Sequence, residues 1–372
     1  MPTWLGIDIR RKTVKVAVVR STYGKVALTR VASVEVAPAA RGTIALAIRG
    51  AAAAALQLQE QAQGLDAIAV AVDGSRAAIH RLLVPATAEK QLVDVLAYEL
   101  EAQVPFDLAG AVFDWKLLEN RPSEGQLAIV AAVVRIEDVR ERIDVVREAL
   151  SQEPERVGVG AFVLGALVPY VAALAELESV AVVDLGEESS EVLVLEQGEP
   201  VFARTTSTGT SGLPDTAERL ARDLRVSFAA HQANGGKAPS GVYLCGDGAF
   251  VSGAEGFLSG SLGVPVQLLP EPTLDLTTLA PEALLDLPRY GKAVALALSL
   301  AGRGAGMNLR RGSLAFERGF AWVRERVPVL AGLAWLLVWQ ILVRRLLFLI
   351  GRMDSTSSRC RPQPYRFLRP RP

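Results

Sequence analysis

Two stretches of this chain, LGIDIRRKTVKVAV (5–18) and VAVVDLGEESSEVLV (180–194), share one grammar: an apolar strand ending in an aspartate, a tight turn, and a second apolar strand. Leu5, Ile7 and Ile9 alternate, then Val14, Val16 and Val18, and 26–36 supplies a third strand. The alanine-rich 43–63 has helical spacing, and LDAIAVAVDG (65–74) reads as a buried strand ending in a turn. From Ser179 the order starts again, with three strands, a long helix expected over Ser211–Asn234 and the strand GVYLCGDG (241–248). A βββαβ unit that occurs twice is an internal repeat, and it dictates an α/β, duplicated, two-lobed architecture.

Between the repeats, 88–103 reads as an amphipathic helix, AVFDWKLLE (111–119) and GQLAIVAAVVR (125–135) as strands, and 136–150 as a charged helix. The run RIEDVRERIDVVRE has the spacing of a solvated face with i to i+4 pairs. The expected organisation is lobe I from 1 to 80, a small α+β insertion at 81–155, a return helix of lobe I at 156–178, and lobe II at 179–307.

Half the chain is apolar, enough for a substantial core. Net charge is zero, yet residues 301–372 carry fourteen arginines against Glu317, Glu325 and Asp354, a net of +11, which leaves −11 for residues 1–300. An acidic body with a basic, apolar end points to a membrane surface and not to nucleic acid, since the body has no basic patch interleaved with aromatics. Cys245 and Cys360 make no disulfide framework, and His80 and His231 stand apart from each other and from the cysteines, so no metal site is expected. The N-terminus passes directly into strand pattern without a secretory signal, and the body is expected in the cytoplasm.

After a basic linker (308–326), VPVLAGLAWLLVWQILV (327–343) has no charge. Seventeen residues span roughly 25 Å at ~1.5 Å each, a little under the ~30 Å hydrocarbon layer, and snorkelling flanks close that gap. Trp335, Trp339 and the flanking arginines suit lipid, Arg344 and Arg345 belong at an interface, and one transmembrane helix is expected over 327–350. The arginine- and proline-rich 351–372 is expected to be a disordered, truncated end.

The paired motifs GIDIRRKTVKV and VVDLGEESSEVLV resemble the phosphate hairpins of the actin, Hsp70 and sugar-kinase ATPase fold, which is ribonuclease H-like in each lobe. LCGDGAFVSGAEGFL (244–258) resembles that fold's adenosine-side motif. The stretch LEAQVPFDLAGAVFDW (100–115), and an NLR-G stretch followed by a basic linker and an apolar span, are similar to the type II secretion system protein L family, and the body also to the pilus-assembly protein PilM family. This resemblance implies an inner-membrane scaffold, single-pass with its body cytoplasmic. Its implied partners are the secretion ATPase (the E component), secretion protein M, the platform protein F, membrane lipid and further copies of itself. The periplasmic ferredoxin-like domain of the secretion family does not follow the span in this sequence. A PilM-like pilus adaptor and a membrane-tethered ATPase or kinase are the alternatives.

By the same resemblance, a nucleotide cleft falls on Asp8, Arg10, Lys12, Asp184, Gly186, Gly246 and Gly248. Turns of this kind clasp phosphate through backbone N–H groups, which glycine permits. Here Arg10 stands where glycine is wanted, while Arg10, Arg11 and Lys12 retain charge that attracts phosphate. Glu187 and Glu188, if turned inward, repel it by about 4 kcal/mol per unit pair at about 4 Å and an effective dielectric near 20. The cleft is therefore expected to be degenerate, with ATP weakly held if at all, no hydrolysis and no catalytic residue. TSTGTSG (206–212) lacks the P-loop lysine and reads as the loop and N-cap of the following helix, with Pro214 in its first turn.

Overall fold

The computed structural model describes residues 2–22, 25–36, 41–56, 65–119, 125–302, 306–316, 335–336, 339–340 and 342–344. The chain divides into two compact units, Met1–Phe316 and Glu317–Pro372.

The first unit opens with β1 (Thr3–Ile9), β2 (Thr13–Thr22), β3 (Lys25–Glu35), α1 (Arg41–Leu56) and β4 (Ala67–Val72). An insertion follows, β5 (Ala77–Pro85), α2 (Leu92–Glu101), β6 (Ala111–Leu117) and β7 (Gln126–Arg135), then α3 (Ile136–Leu150) and β8 (Arg156–Val159). After the short α4 (Ala173–Glu176), the second half runs β9 (Ser179–Leu185), β10 (Ser190–Glu196), β11 (Glu199–Thr206), α5 (Ala217–Ala233), β12 (Val242–Cys245), α6 (Ala254–Leu262) and β13 (Val266–Leu268). The short α7 (Pro281–Leu285) and then α8 (Gly291–Ser299) close the series.

The sheets are ordered β3-β2-β1-β4-β8 and β11-β10-β9-β12-β13, the same arrangement twice, with β5-β7-β6 as a third. In each large sheet the first strand pairs antiparallel with the second and parallel with the fourth. Strands covered on both faces lose their polar alternation, which is why β4 and β9 are buried throughout. The register places Asp8 opposite Lys15 and Asp184 opposite Glu191, so the two halves carry their aspartates at equivalent points.

Helix α8 follows the second half in sequence but packs on β1, β2 and β4 of the first. That crossing depends on Gly6, because a Cβ there would lie 2.1 Å from the Ala293 carbonyl oxygen and 2.4 Å from the Ala297 nitrogen. Backbone atoms have no rotamer by which to yield, so Gly6→Ala is expected to lower stability by about 1–3 kcal/mol or more, as overpacking does. Urea unfolding checks this, and an unchanged midpoint would mean that α8 does not rest on β1.

Several boundaries differ from the sequence reading. The inserted sheet starts at Ala77, because the half-exposed β5, with His80 and Arg81, gives a poor alternation signal. Helix α3 buries Val139, Ile143, Val146 and Ala149 and packs on α1, β4 and β8 of the first lobe as well as on β7 of the insertion, so it belongs to the first lobe as much as to the insertion. In place of a return helix over 156–178, β8 completes the first sheet, and Gly160–Tyr170 forms a 3₁₀ helix that contains Pro169, a residue an α-helical interior rejects. Helix α5 begins at Ala217 and not at Ser211, since Gly212 takes a left-handed φ of +84°.

The start of the expected linker is docked as well. The Leu309 amide donates to the Val157 carbonyl at 2.8 Å, the Asn308 amide to Asp114 at 2.7 Å, and Arg311 pairs with Asp114 at 2.6 Å.

In the second unit, Trp335 and Trp339 are exposed and stack with ring centroids 5.7 Å apart. Among the described residues no helix is long and apolar enough to cross a membrane. Most of the expected span at 327–350, and all of the tail at 351–372, lie outside the described residues.

Candidate functional site

The turn between β1 and β2 closes with the Arg10 amide donating to the Thr13 carbonyl at 2.8 Å, and the turn between β9 and β10 closes with Gly186 donating to Ser189 at 3.0 Å. These two turns meet. Arg10 donates from Nε to both oxygens of Asp8, at 3.3 and 3.2 Å, and reaches from Nη2 to Asp184 in the other half. Its side chain is only 16% exposed, and Asp8 and Asp184 are buried. Outside this inner contact Arg11 pairs with Glu188 at 3.1 Å and Lys12 pairs with Glu187. Arg10, Arg11 and Lys12 of the first turn are thus each matched by an acid of the second hairpin.

A second layer surrounds the first. Lys292 of α8 lies 2.5 Å from Glu191 and 4.0 Å from Asp8, and Lys15 pairs with Asp247 at 2.6 Å while donating to the Arg289 carbonyl at 3.0 Å. Arg289 completes it at 3.6 Å from Asp247, with its guanidinium over the Phe250 ring.

Burial alone would raise the Asp8 carboxyl, but the charges of Arg10, Lys292 and Lys15 outweigh it and hold the group below the usual carboxylate range. For Arg10 and Lys292 burial works against the charged form, and the carboxylates, Asp184 foremost for Arg10 and Glu191 foremost for Lys292, more than reverse it. The site is a network of buried charges, each stabilised only by its neighbours.

Of the residues predicted from sequence, Asp8, Arg10, Lys12, Asp184 and Gly186 come together. Gly246 joins them, because its φ of +82° and a Cβ position 2.3 Å from Asp184 Oδ1 leave room for glycine alone. Gly248 lies apart, lining an apolar cavity of about 400 Å³ with Leu185, Leu213 and Phe257. Glu187 and Glu188 do not form the repulsive inner wall that the sequence suggests. They are about half-exposed and neutralised across the cleft. Lys15, Glu191, Lys292 and Asp247 are absent from the sequence-based set. The one available signal is a lone charge within an apolar run, Glu191 in SEVLVL and Lys292 in GKAVALAL.

The actin-like fold implies magnesium and nucleotide phosphates held between the two turns. The cavity there measures about 360 Å³ and is lined by both hairpins. The residues do not fit that group as arranged: the guanidinium of Arg10 stands between the two aspartates where a cation would bind, and the turns are paired with each other. Among the described residues there is no cluster able to hold a metal ion. His231 is a satisfied core residue, with Nε2 3.0 Å from Glu196, and Cys245 is a buried thiol whose pKa burial pushes well up.

A family model described as type IV pilus assembly protein PilM matches residues 6–217, which is more than half of the chain. The chain belongs to the PilM family. No curated protein matches it. Among solved structures, the PilM–PilN type IV pilus biogenesis complex is similar at 22% identity, covering 82% of this chain and 98% of that one, with a TM-score of 0.66. The cytoplasmic domain of EpsL, an inner-membrane component of the type II secretion system of Vibrio cholerae, is 15% identical over 84% of this chain and 99% of its own, with a TM-score of 0.46. A Bacteroides thetaiotaomicron protein with an actin-like ATPase fold is 8% identical over 72% and 90%, with a TM-score of 0.43. The duplicated sheets and the first of these likenesses fix the fold of this family member as the actin-like α/β fold.

Proposed function

We propose that this PilM-family chain is an assembly scaffold of a pilus or secretion machine and that it has exchanged nucleotide for an internal clasp. The observation that supports this most is Arg10, which bridges Asp8 and Asp184 and so spends the two carboxylates that an ATPase of this fold would aim at metal and phosphate. A body held shut by its own charges presents a fixed surface to partners and needs no hydrolysis cycle to keep its shape.

Isothermal titration of ATP and magnesium into the full chain in detergent is expected to give no heat at micromolar concentrations, and phosphate release is expected to match the blank. Micromolar affinity that disappears in Asp8→Ala would overturn the reading.

Two settings compete for this scaffold. Family membership favours a pilus adaptor that engages a PilN-like membrane protein. The uncharged segment at 327–343, followed by Arg344 and Arg345, favours a member anchored in the inner membrane that gathers a type II secretion ATPase, protein M and platform protein F. Detergent capture of the full chain, probed against both sets of partners, separates them. Retention of neither set would count against a scaffold of either machine.

A further inference from the structure

A second cavity, of about 780 Å³, adjoins the clasp and shares Arg10 and Arg11 with the cleft. Both halves build it. Arg142 of α3 and Arg204 of β11 line it from opposite halves, and among the described residues neither guanidinium has a hydrogen-bond or ion-pair partner. Arg76 on the same wall is different, since it is already held by Asp138 and Glu141 at 2.8 Å each. The hydroxyls of Ser189, Thr205 and Ser207 also line the space, again without a partner among the described residues, while Ser75 is held by Asp73.

The four acids that line the cavity, Asp73, Glu141, Glu188 and Asp223, are already engaged, Glu141 by Arg76 and Glu188 by Arg11. Asp73 accepts from the Ser75 amide at 2.8 Å, and Asp223 accepts from the Thr208 hydroxyl. Burial pulls the Arg142 guanidinium below its ordinary value, which the charge of Asp73 only partly opposes. A desolvated guanidinium without acceptors for its planar fork is costly, and two oxygens of a phosphate supply the two-point match it lacks. The volume falls within the ~300–1,000 Å³ usual for small-molecule sites. Among the described residues no aromatic side chain lines the cavity to stack on a nucleobase.

We propose that this interlobe cavity binds a small phosphate-bearing molecule, with Arg142 and Arg204 as its cationic clamp and the three free hydroxyls as additional donors. Because the clamp spans both halves beside Arg10, occupancy would draw the lobes together at the clasp. The cavity adjoins the nucleotide-like cleft, with which it also shares Asp73, Glu188 and Ser189, and the proposal does not depend on whether that cleft is silent.

Inorganic pyrophosphate serves as the probe, titrated calorimetrically into the full chain in detergent. Arg142→Gln and Arg204→Gln are each expected to weaken binding by about tenfold or more, the loss of one charged hydrogen bond. Lys12→Gln, in the neighbouring cleft, is expected to leave affinity within about twofold, as a solvent-screened charge does. Arg204 is exposed, so its variant carries the test even if the α3 variant folds poorly. No binding by the wild-type chain at millimolar pyrophosphate would overturn the proposal, and so would binding that survives Arg204→Gln but is lost in Lys12→Gln.

Discussion

Arg10→Ala is expected to destabilise the body by about 3–5 kcal/mol, the loss found when one partner of a buried ion network is removed. The substitution takes away the guanidinium that Asp8 and Asp184 share and leaves two buried carboxylates facing each other, with Lys292 4.0 Å from one of them. The pH dependence provides a second signature. In the wild type the folded Asp8 carboxyl is depressed, so its contribution is complete above the ordinary carboxylate range and is lost as pH falls through the lower, folded value. In the variant the largest charge opposing burial is gone, which moves the carboxyl upward from its wild-type position, so protonation costs the folded form less and acid relieves part of the damage. Urea unfolding at pH 7.5 and at pH 5 should therefore show a deficit that narrows on acidification. A loss below about 1 kcal/mol, equal at both values, is what an exposed pair would give, and it would mean that the clasp is not closed in solution.

Lys292→Met is expected to cost a similar amount, about 3–5 kcal/mol, because the ammonium lies almost fully buried between Glu191 and Asp8. The informative variant is the pair. When Lys292→Met is combined with Glu191→Leu, an apolar contact replaces the ion pair and most of the single-site loss should return, giving a large favourable coupling in the double-mutant cycle. The Gly74 amide, which donates to Glu191 at 3.3 Å, limits that recovery. If the two losses simply added, Lys292 and Glu191 would be acting independently and the second layer of the network would have to be abandoned.

The duplicated halves were legible because strand alternation and turn chemistry are local, and each half repeats them in full. The amphipathic stripe of α3 was legible for the same reason. Strand β5 was not, since a half-buried strand with His80 and Arg81 in its middle looks like loop in one dimension. Nor was the placement of α8. Its apolar composition announces burial but not against which sheet, and only Gly6, approached by Ala293 and Ala297, records the answer.

Sequence by itself determined that there are two equivalent turns, that each follows an aspartate, and that one turn is cationic and the other anionic. It could not determine that the two neutralise each other, because Arg10 and Asp184 are 174 positions apart and their meeting depends on how the lobes close. Only the tertiary structure decided that Arg10 turns inward to both aspartates instead of outward to a phosphate. The physical reason is that a buried charge takes the partner that packing brings within reach, and packing, unlike periodicity, belongs to the whole chain.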